Sequence, residues 1–147
     1  MSEKRRILLI DDDTSLLLTL SDFLRFEGYE VTTAASGEQG LDMLKRGQPD
    51  LIILDMSMPG MGGVGFLKAI SSRNGRPEYP VLVLTARSNM AEFFSNMDVA
   101  GFVAKPCEPA DLLAEVSRIL FLNSGGAGVG HPAGGDRRIL VGEDERS

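Results

Sequence analysis

Five short apolar runs bounded by turn residues recur along the first 122 positions, at 7–10, 30–34, 51–54, 81–84 and 101–104. Each is too short for a helix and rich in Ile, Val and Leu, the pattern of strands buried on both faces. Between them lie stretches with helical spacing. Leu16, Leu17, Leu20, Phe23 and Leu24 form one apolar stripe, with Gly28 where a C-terminal cap belongs. Ser36 with Gln39 reads as a capping box opening a helix through about residue 46. Further helices are predicted over 64–72, 89–97 and 109–120. Strand and helix thus alternate through the chain, which predicts a parallel sheet with right-handed crossovers and helices on both faces.

Past Leu122 the pattern stops. Residues 124–135 (SGGAGVGHPAGG) are glycine-rich and offer nothing to a core, so 123–136 reads as a flexible linker. The tail 137–147, RRILVGEDERS, echoes RRILLIDDDTS at 5–15: a basic pair, a short apolar run, then clustered acids. It is either the first strand of a truncated second copy of the domain or a charged tail of chance similarity.

Composition narrows the class. With 147 residues, 43% hydrophobic and 24% charged, the chain suits one globular domain that needs neither metal nor disulfide to fold. A single cysteine, Cys107, excludes an internal disulfide framework and reads as an inert small residue, and His131 as a partnerless linker residue. Fifteen Lys and Arg against twenty-one Asp and Glu leave a net charge of −6, which argues against a nucleic-acid or membrane-surface binder. No run approaches the ~20 apolar residues of a membrane span. The basic cluster Lys4–Arg5–Arg6 precedes only four apolar residues, too few for a signal peptide. A cytoplasmic protein is expected.

Candidate chemistry follows from the strand ends, because ligands of open parallel sheets bind beyond the carboxyl edge. There the sequence places Asp11, Asp12 and Asp13 after the first strand, Asp55 after the third, Thr85 after the fourth and Lys105 after the fifth. Carboxylates gathered so closely repel one another, and a hard divalent cation such as Mg²⁺ relieves them while leaving positions for water and a phosphoryl group. Mg²⁺, a lysine and a hydroxyl suit three phosphoryl oxygens, with a carboxylate as nucleophile.

ILLIDDD, LIILDMSMPG, VLVLTA and FVAKP, in that order and at those intervals, resemble the receiver domain of bacterial two-component response regulators over residues 4–122. The resemblance implies a flavodoxin-like, doubly wound single domain of strand order 2-1-3-4-5. It implies that Asp55 accepts a phosphoryl group from a phosphohistidine on a sensor histidine kinase or a histidine phosphotransfer protein. Asp12 and Asp55 bind Mg²⁺ in that picture, with the Ser57 carbonyl as a third ligand and Asp11 holding a coordinated water. Lys105 pairs with a phosphoryl oxygen and is followed by a cis bond to Pro106. Thr85 turns its hydroxyl to the phosphoryl group, and Phe102 rotates inward, altering the face made by the fourth helix, fifth strand and fifth helix. The implied protein is a signalling switch that phosphorylates itself and removes its own phosphoryl group, without an external substrate, and acts on a downstream protein.

Other readings of the same residues remain. Asp13 reads better as a helix cap than as a ligand, and Phe102 fits static core as well as a switch. Asp11-Asp12-Asp13 also resembles the opening of haloacid-dehalogenase-type phosphatases, with Asp11 as nucleophile and Asp13 as general acid. That reading lacks a late acidic pair and room for a cap domain. A dinucleotide-binding domain lacks its glycines after the first strand. A receiver-like module that is never phosphorylated keeps no reason for all of Asp11, Asp12, Asp55, Thr85 and Lys105. The chain departs from the receiver pattern at Gly62, where an acid is frequent, in a loop made flexible by Gly60, Gly62, Gly63 and Gly65. It departs again at Met97-Asp98-Val99, where a glycine is frequent. Ser57 and Arg87 flank the site and bear on access of hydrolytic water.

Overall fold

The computed structural model describes residues 4–86 and 98–125. Five parallel strands form one sheet in the order β2-β1-β3-β4-β5: β1 Arg6–Ile10, β2 Glu30–Ala34, β3 Leu51–Asp55, β4 Val81–Thr85 and β5 Gly101–Ala104. Among the described residues four helices accompany them: α1 Thr14–Phe26, α2 Gly37–Arg46, α3 Gly62–Ala69 and α4 Pro109–Gly125. The helix expected over 89–97 and Arg87 lie outside the described residues, as do the linker and tail beyond 125. Residues through Val116 make one compact unit, and a second begins at Ser117, within α4. Among the described residues no helix is long and apolar enough to cross a membrane.

Local signals account for most boundaries. Asp13 caps α1, its Oδ1 accepting from Leu16 N at 3.1 Å, and Gly28 follows the helix at φ 104° with its N–H on Arg25 O. Ser36 caps α2, accepting from Gln39 N at 3.1 Å, while Gln39 Oε1 reaches back to Ala35 N at 2.7 Å. The capping box forms, displaced by one residue on its return arm. Strands β3 and β4 each run one residue past the expected end, to Asp55 and Thr85. Both side chains are therefore held by a ladder rather than a loop.

Every residue of β3 and β4 is buried, as a central parallel strand requires. Leu8, Ile10, Ile52, Leu54, Val81 and Val83 point to one face, where Phe66, Leu67 and Ile70 close the core. Ile7 and Leu9 alternate to the other face, the side of α1 with its buried Leu17, Leu20 and Leu24.

Helix α3, expected over 64–72, is found at Gly62–Ala69. Its glycines are not uniformly loose. Of Gly60, Gly62, Gly63 and Gly65, Gly60 and Gly62 have positive φ, at 76° and 69°, and the other two do not. Gly63 is a contact residue: a Cβ there would lie 2.7 Å from Met56 Cα and 2.8 Å from Asp55 O. Those neighbours are backbone and cannot give way. Gly63→Ala is expected to lower stability by about 3 kcal/mol, the upper part of the usual overpacking range, because α3 must move off the Asp55–Met56 backbone. Gly65→Ala, facing Met61 Cβ at 3.2 Å, is expected to be close to neutral. Urea denaturation of the two variants checks both, and equal midpoints would contradict the packing argument.

Candidate functional site

The carboxyl edge of the sheet carries the chemistry, and backbone ladders aim it. Asp11 N donates to Ala34 O at 3.1 Å, Met56 N to Leu84 O at 3.1 Å and Lys105 N to Thr85 O at 2.7 Å. The acidic turn after β1, the end of β3 and the residue after β5 are thereby pinned beside one another. The Lys105–Pro106 peptide bond is cis, as expected.

Asp11 and Asp55 are each 1% exposed, and Lys105 reaches between them. Its Nζ donates to Asp55 Oδ1 at 3.1 Å and stands 2.9 Å from Asp11 Oδ2, an ion pair without hydrogen-bond alignment. Asp55 Oδ1 also accepts from Ser57 N at 3.3 Å, and Asp11 Oδ1 from Asp13 N at 3.0 Å. Among the described residues, Asp55 Oδ2 is buried without a hydrogen-bond partner. Asp12 is exposed, and one carboxylate oxygen from each of Asp11, Asp12 and Asp55 lies within 4.8 Å of the others.

The electrostatics are unbalanced. Burial raises the Asp11 pKa above its ordinary 3.8; the Asp13 N–H and Lys105 oppose that shift, and Asp55 adds to it. Burial works against the Lys105 charge, yet Asp11 and Asp55 outweigh it and hold its pKa above the ordinary lysine value. Among the described residues, one ammonium faces three carboxylates. An oxygen-lined, negatively charged pocket with an orphaned buried carboxylate oxygen fits a hard divalent cation such as Mg²⁺.

The structure brings Asp11, Asp12, Asp55 and Lys105 together. Ser57 is exposed beside Asp55, and Thr85 is buried at the end of β4, one strand from Asp55. Phe102 is 41% exposed on β5, opposite Val83 in register. Asp13 serves α1 as its cap. Cys107 is half-buried, with burial pushing its thiol pKa up, in keeping with an inert residue. Sequence reasoning missed two residues here. Gly63 packs on the Asp55 carbonyl, and Glu38 on α2 touches the loop after β3, its Oε2 3.4 Å from Met61 N. Neither carries a periodic signal, since both contacts are set by the docking of α2 and α3.

A sheet of this order with an aspartate–lysine site at its carboxyl edge defines a receiver-type signalling module. The model of the response regulator receiver domain matches residues 7–117. The transcriptional regulatory protein PrrA of Mycobacterium tuberculosis is 34% identical over 117 residues, 78% of this chain and 49% of PrrA. The DNA-binding response regulator MtrA of Mycolicibacterium smegmatis is 32% identical over 115 residues, 77% of this chain and 49% of MtrA. The chain thus spans about half the length of the curated relatives it matches. A CheY-like receiver domain protein of Methanospirillum hungatei JF-1 superposes with TM-score 0.73 at 31% identity, covering 83% of this chain and 98% of that one. TrrA of Thermotoga maritima, solved in complex with Mg²⁺-BeF, gives TM-score 0.69 at 32% identity, covering 78% and 98%. The chain belongs to the response regulator receiver domain family. It is a receiver domain of two-component signalling, with the phosphoacceptor role that the family carries.

Proposed function

We propose that Asp55 is the phosphoacceptor, receiving its phosphoryl group from a phosphohistidine on a sensor histidine kinase or a histidine phosphotransfer protein. The observation that carries this is the state of its carboxylate: buried, with Oδ1 anchored by Lys105 and the Ser57 N–H, and Oδ2 without a hydrogen-bond partner among the described residues. A carboxylate oxygen attacks phosphorus, the P–N bond breaks, and its electron pair stays on the imidazole nitrogen, which takes up a proton. Lys105 holds charge on a transferred phosphoryl oxygen, and the buried Thr85 hydroxyl donates to another.

The Asp12 and Asp55 side chains and the Ser57 carbonyl would hold Mg²⁺, with Asp11 beside them to orient a water on the ion. When bound, the ion offsets the carboxylates and the charge that develops on the phosphoryl oxygens. That TrrA was solved in complex with Mg²⁺-BeF supports Mg²⁺ as the ion for this acidic site. Water later attacks the phosphorus, the bond to Asp55 breaks and inorganic phosphate leaves, so the domain removes its own label.

Phosphorylation biases a pre-existing equilibrium. Thr85 moves toward the phosphoryl group and Phe102, now exposed on β5, turns inward, changing the face around β5 that a downstream protein reads. We place this switch in the cytoplasm and assign this chain protein partners rather than nucleic acid, as its net charge of −6 favours. We assign residues 4–122 to the receiver and 126–136 to a linker, since α4 takes the first three positions expected of the linker, 123–125. In 137–147, Arg137, Arg138, Ile139, Leu140, Asp144 and Ser147 repeat Arg5, Arg6, Ile7, Leu8, Asp12 and Ser15, either as a second copy's first strand or as a charged tail of chance similarity.

Intact mass after incubation with acetyl phosphate tests the reading. One phosphoryl group gained with Mg²⁺ and none with a chelator is expected. No gain under either condition would favour an interaction module that is never phosphorylated.

A further inference from the structure

Helix α3 starts without a side-chain cap. Its N-cap residue is Met61, which has no oxygen to offer, and the next residue is Gly62. The backbone N–H of Met61 meets instead a carboxylate from the neighbouring helix, Glu38 Oε2 at 3.4 Å. In a capping box the N-cap N–H is taken by a Glu or Gln of the same helix. Here the acid comes from α2, where a negative charge also suits the α3 dipole.

Two glycines permit the approach. A Cβ on Gly37 would lie 2.7 Å from Met61 Cγ, and one on Gly60 3.0 Å from Glu38 Oε2. Gly60 and Gly62, both at positive φ, leave the segment between them little conformational preference of its own. Glu38 is itself well placed. The first turn of α2 is closed by Ser36 and Gln39, and Ala34, just ahead of it, accepts from Asp11 N. The junction from Ala34 to Gln39 therefore touches both acidic loops, one through Asp11 and the other through Met61.

We infer that Glu38 caps α3 in trans and acts as a positioning residue for the loop after Asp55, setting the affinity of the acidic site for Mg²⁺ through the Ser57 carbonyl. The inference rests on the proposed assignment of Asp55 and Ser57.

Glu38→Ala is expected to raise the Mg²⁺ concentration for half-maximal labelling by acetyl phosphate about fivefold, the ratio a lost helix cap carries. The rate recovers at saturating Mg²⁺, and amide exchange at Met61 and the first turn of α3 accelerates. Glu38→Gln keeps an acceptor oxygen and is expected to stay close to wild type. An unchanged Mg²⁺ requirement in Glu38→Ala would overturn the inference even if the melting temperature fell, and so would equal behaviour of the Ala and Gln variants. If the wild type takes up no phosphoryl group, the assignment of Asp55 fails. Calorimetric Mg²⁺ titration together with amide exchange then decides the role of Glu38 on its own.

Discussion

Asp55→Asn is expected to gain no phosphoryl group from acetyl phosphate and Mg²⁺ when the wild type is labelled to completion, a loss of at least about a thousandfold in rate. Asparagine matches the shape of aspartate and keeps an oxygen for Lys105 and the Ser57 N–H, which Asp55 now engages at 3.1 and 3.3 Å. What it removes is the nucleophilic carboxylate. Stability is not expected to fall, since the variant relieves one of two buried negative charges that share one ammonium. The paired result, full loss of labelling with an undiminished melting temperature, separates a chemical role from a structural one. Intact mass and a thermal melt on the same samples provide both numbers. Residual labelling at the wild-type rate would move the acceptor elsewhere.

Lys105→Met has the second-largest expected effect and acts on rate and stability together. Labelling is expected to slow about a hundredfold, as when one preorganised donor to a developing charge is lost. Without the ammonium, Asp11 and Asp55 face each other buried at 1% exposure. Breaking a buried ion pair costs about 3–5 kcal/mol, and the 22% exposure of the Lys105 side chain brings the expected loss down to about 2 kcal/mol. The sign with pH follows from Asp11. Its pKa in the fold is already raised above 3.8 by burial, and removing Lys105 raises it further. A raised carboxylate contributes stability in full below its unfolded pKa and loses it as pH rises through the folded one. The deficit of Lys105→Met is therefore expected to be small near pH 4 and to grow toward pH 8. Adding Asp11→Asn is expected to recover most of it at neutral pH, and Asp11→Asn alone to stabilise the metal-free protein. Thermal melts in chelator across this range check the series. A pH-independent deficit would show that the lysine stabilises through its methylenes rather than its charge.

The strands and the residues at their carboxyl ends were legible because a strand buried on both faces must be an unbroken apolar run. The first polar residue after such a run marks the edge, which is how Asp11, Asp55, Thr85 and Lys105 can be read off one strand at a time. The α1 and α2 boundaries were legible through Asp13, Gly28 and Ser36, whose side chains or backbone act within a few residues. Helix α3 was not, because its start depends on Gly63 lying against the Asp55 backbone, a contact between elements. The end of α4 was missed for a different reason. The helix continues past Leu120 to Gly125, through residues that carry no stop signal until the glycines begin. The Lys105 bridge to Asp11 and the Glu38 contact with Met61 join residues far apart in sequence, so no local period encodes them.

The central claim is that the label sits on Asp55 and not in the acidic turn after β1. Hydroxylamine converts an acyl phosphate into a hydroxamate at the labelled side chain, and trypsin separates the two candidates into peptides 47–68 and 7–25. Fragmentation mass spectrometry of the labelled, hydroxylamine-treated and digested protein is expected to place the hydroxamate on Asp55. A hydroxamate on Asp11 would contradict the receiver mechanism and return the site to the phosphatase-like reading.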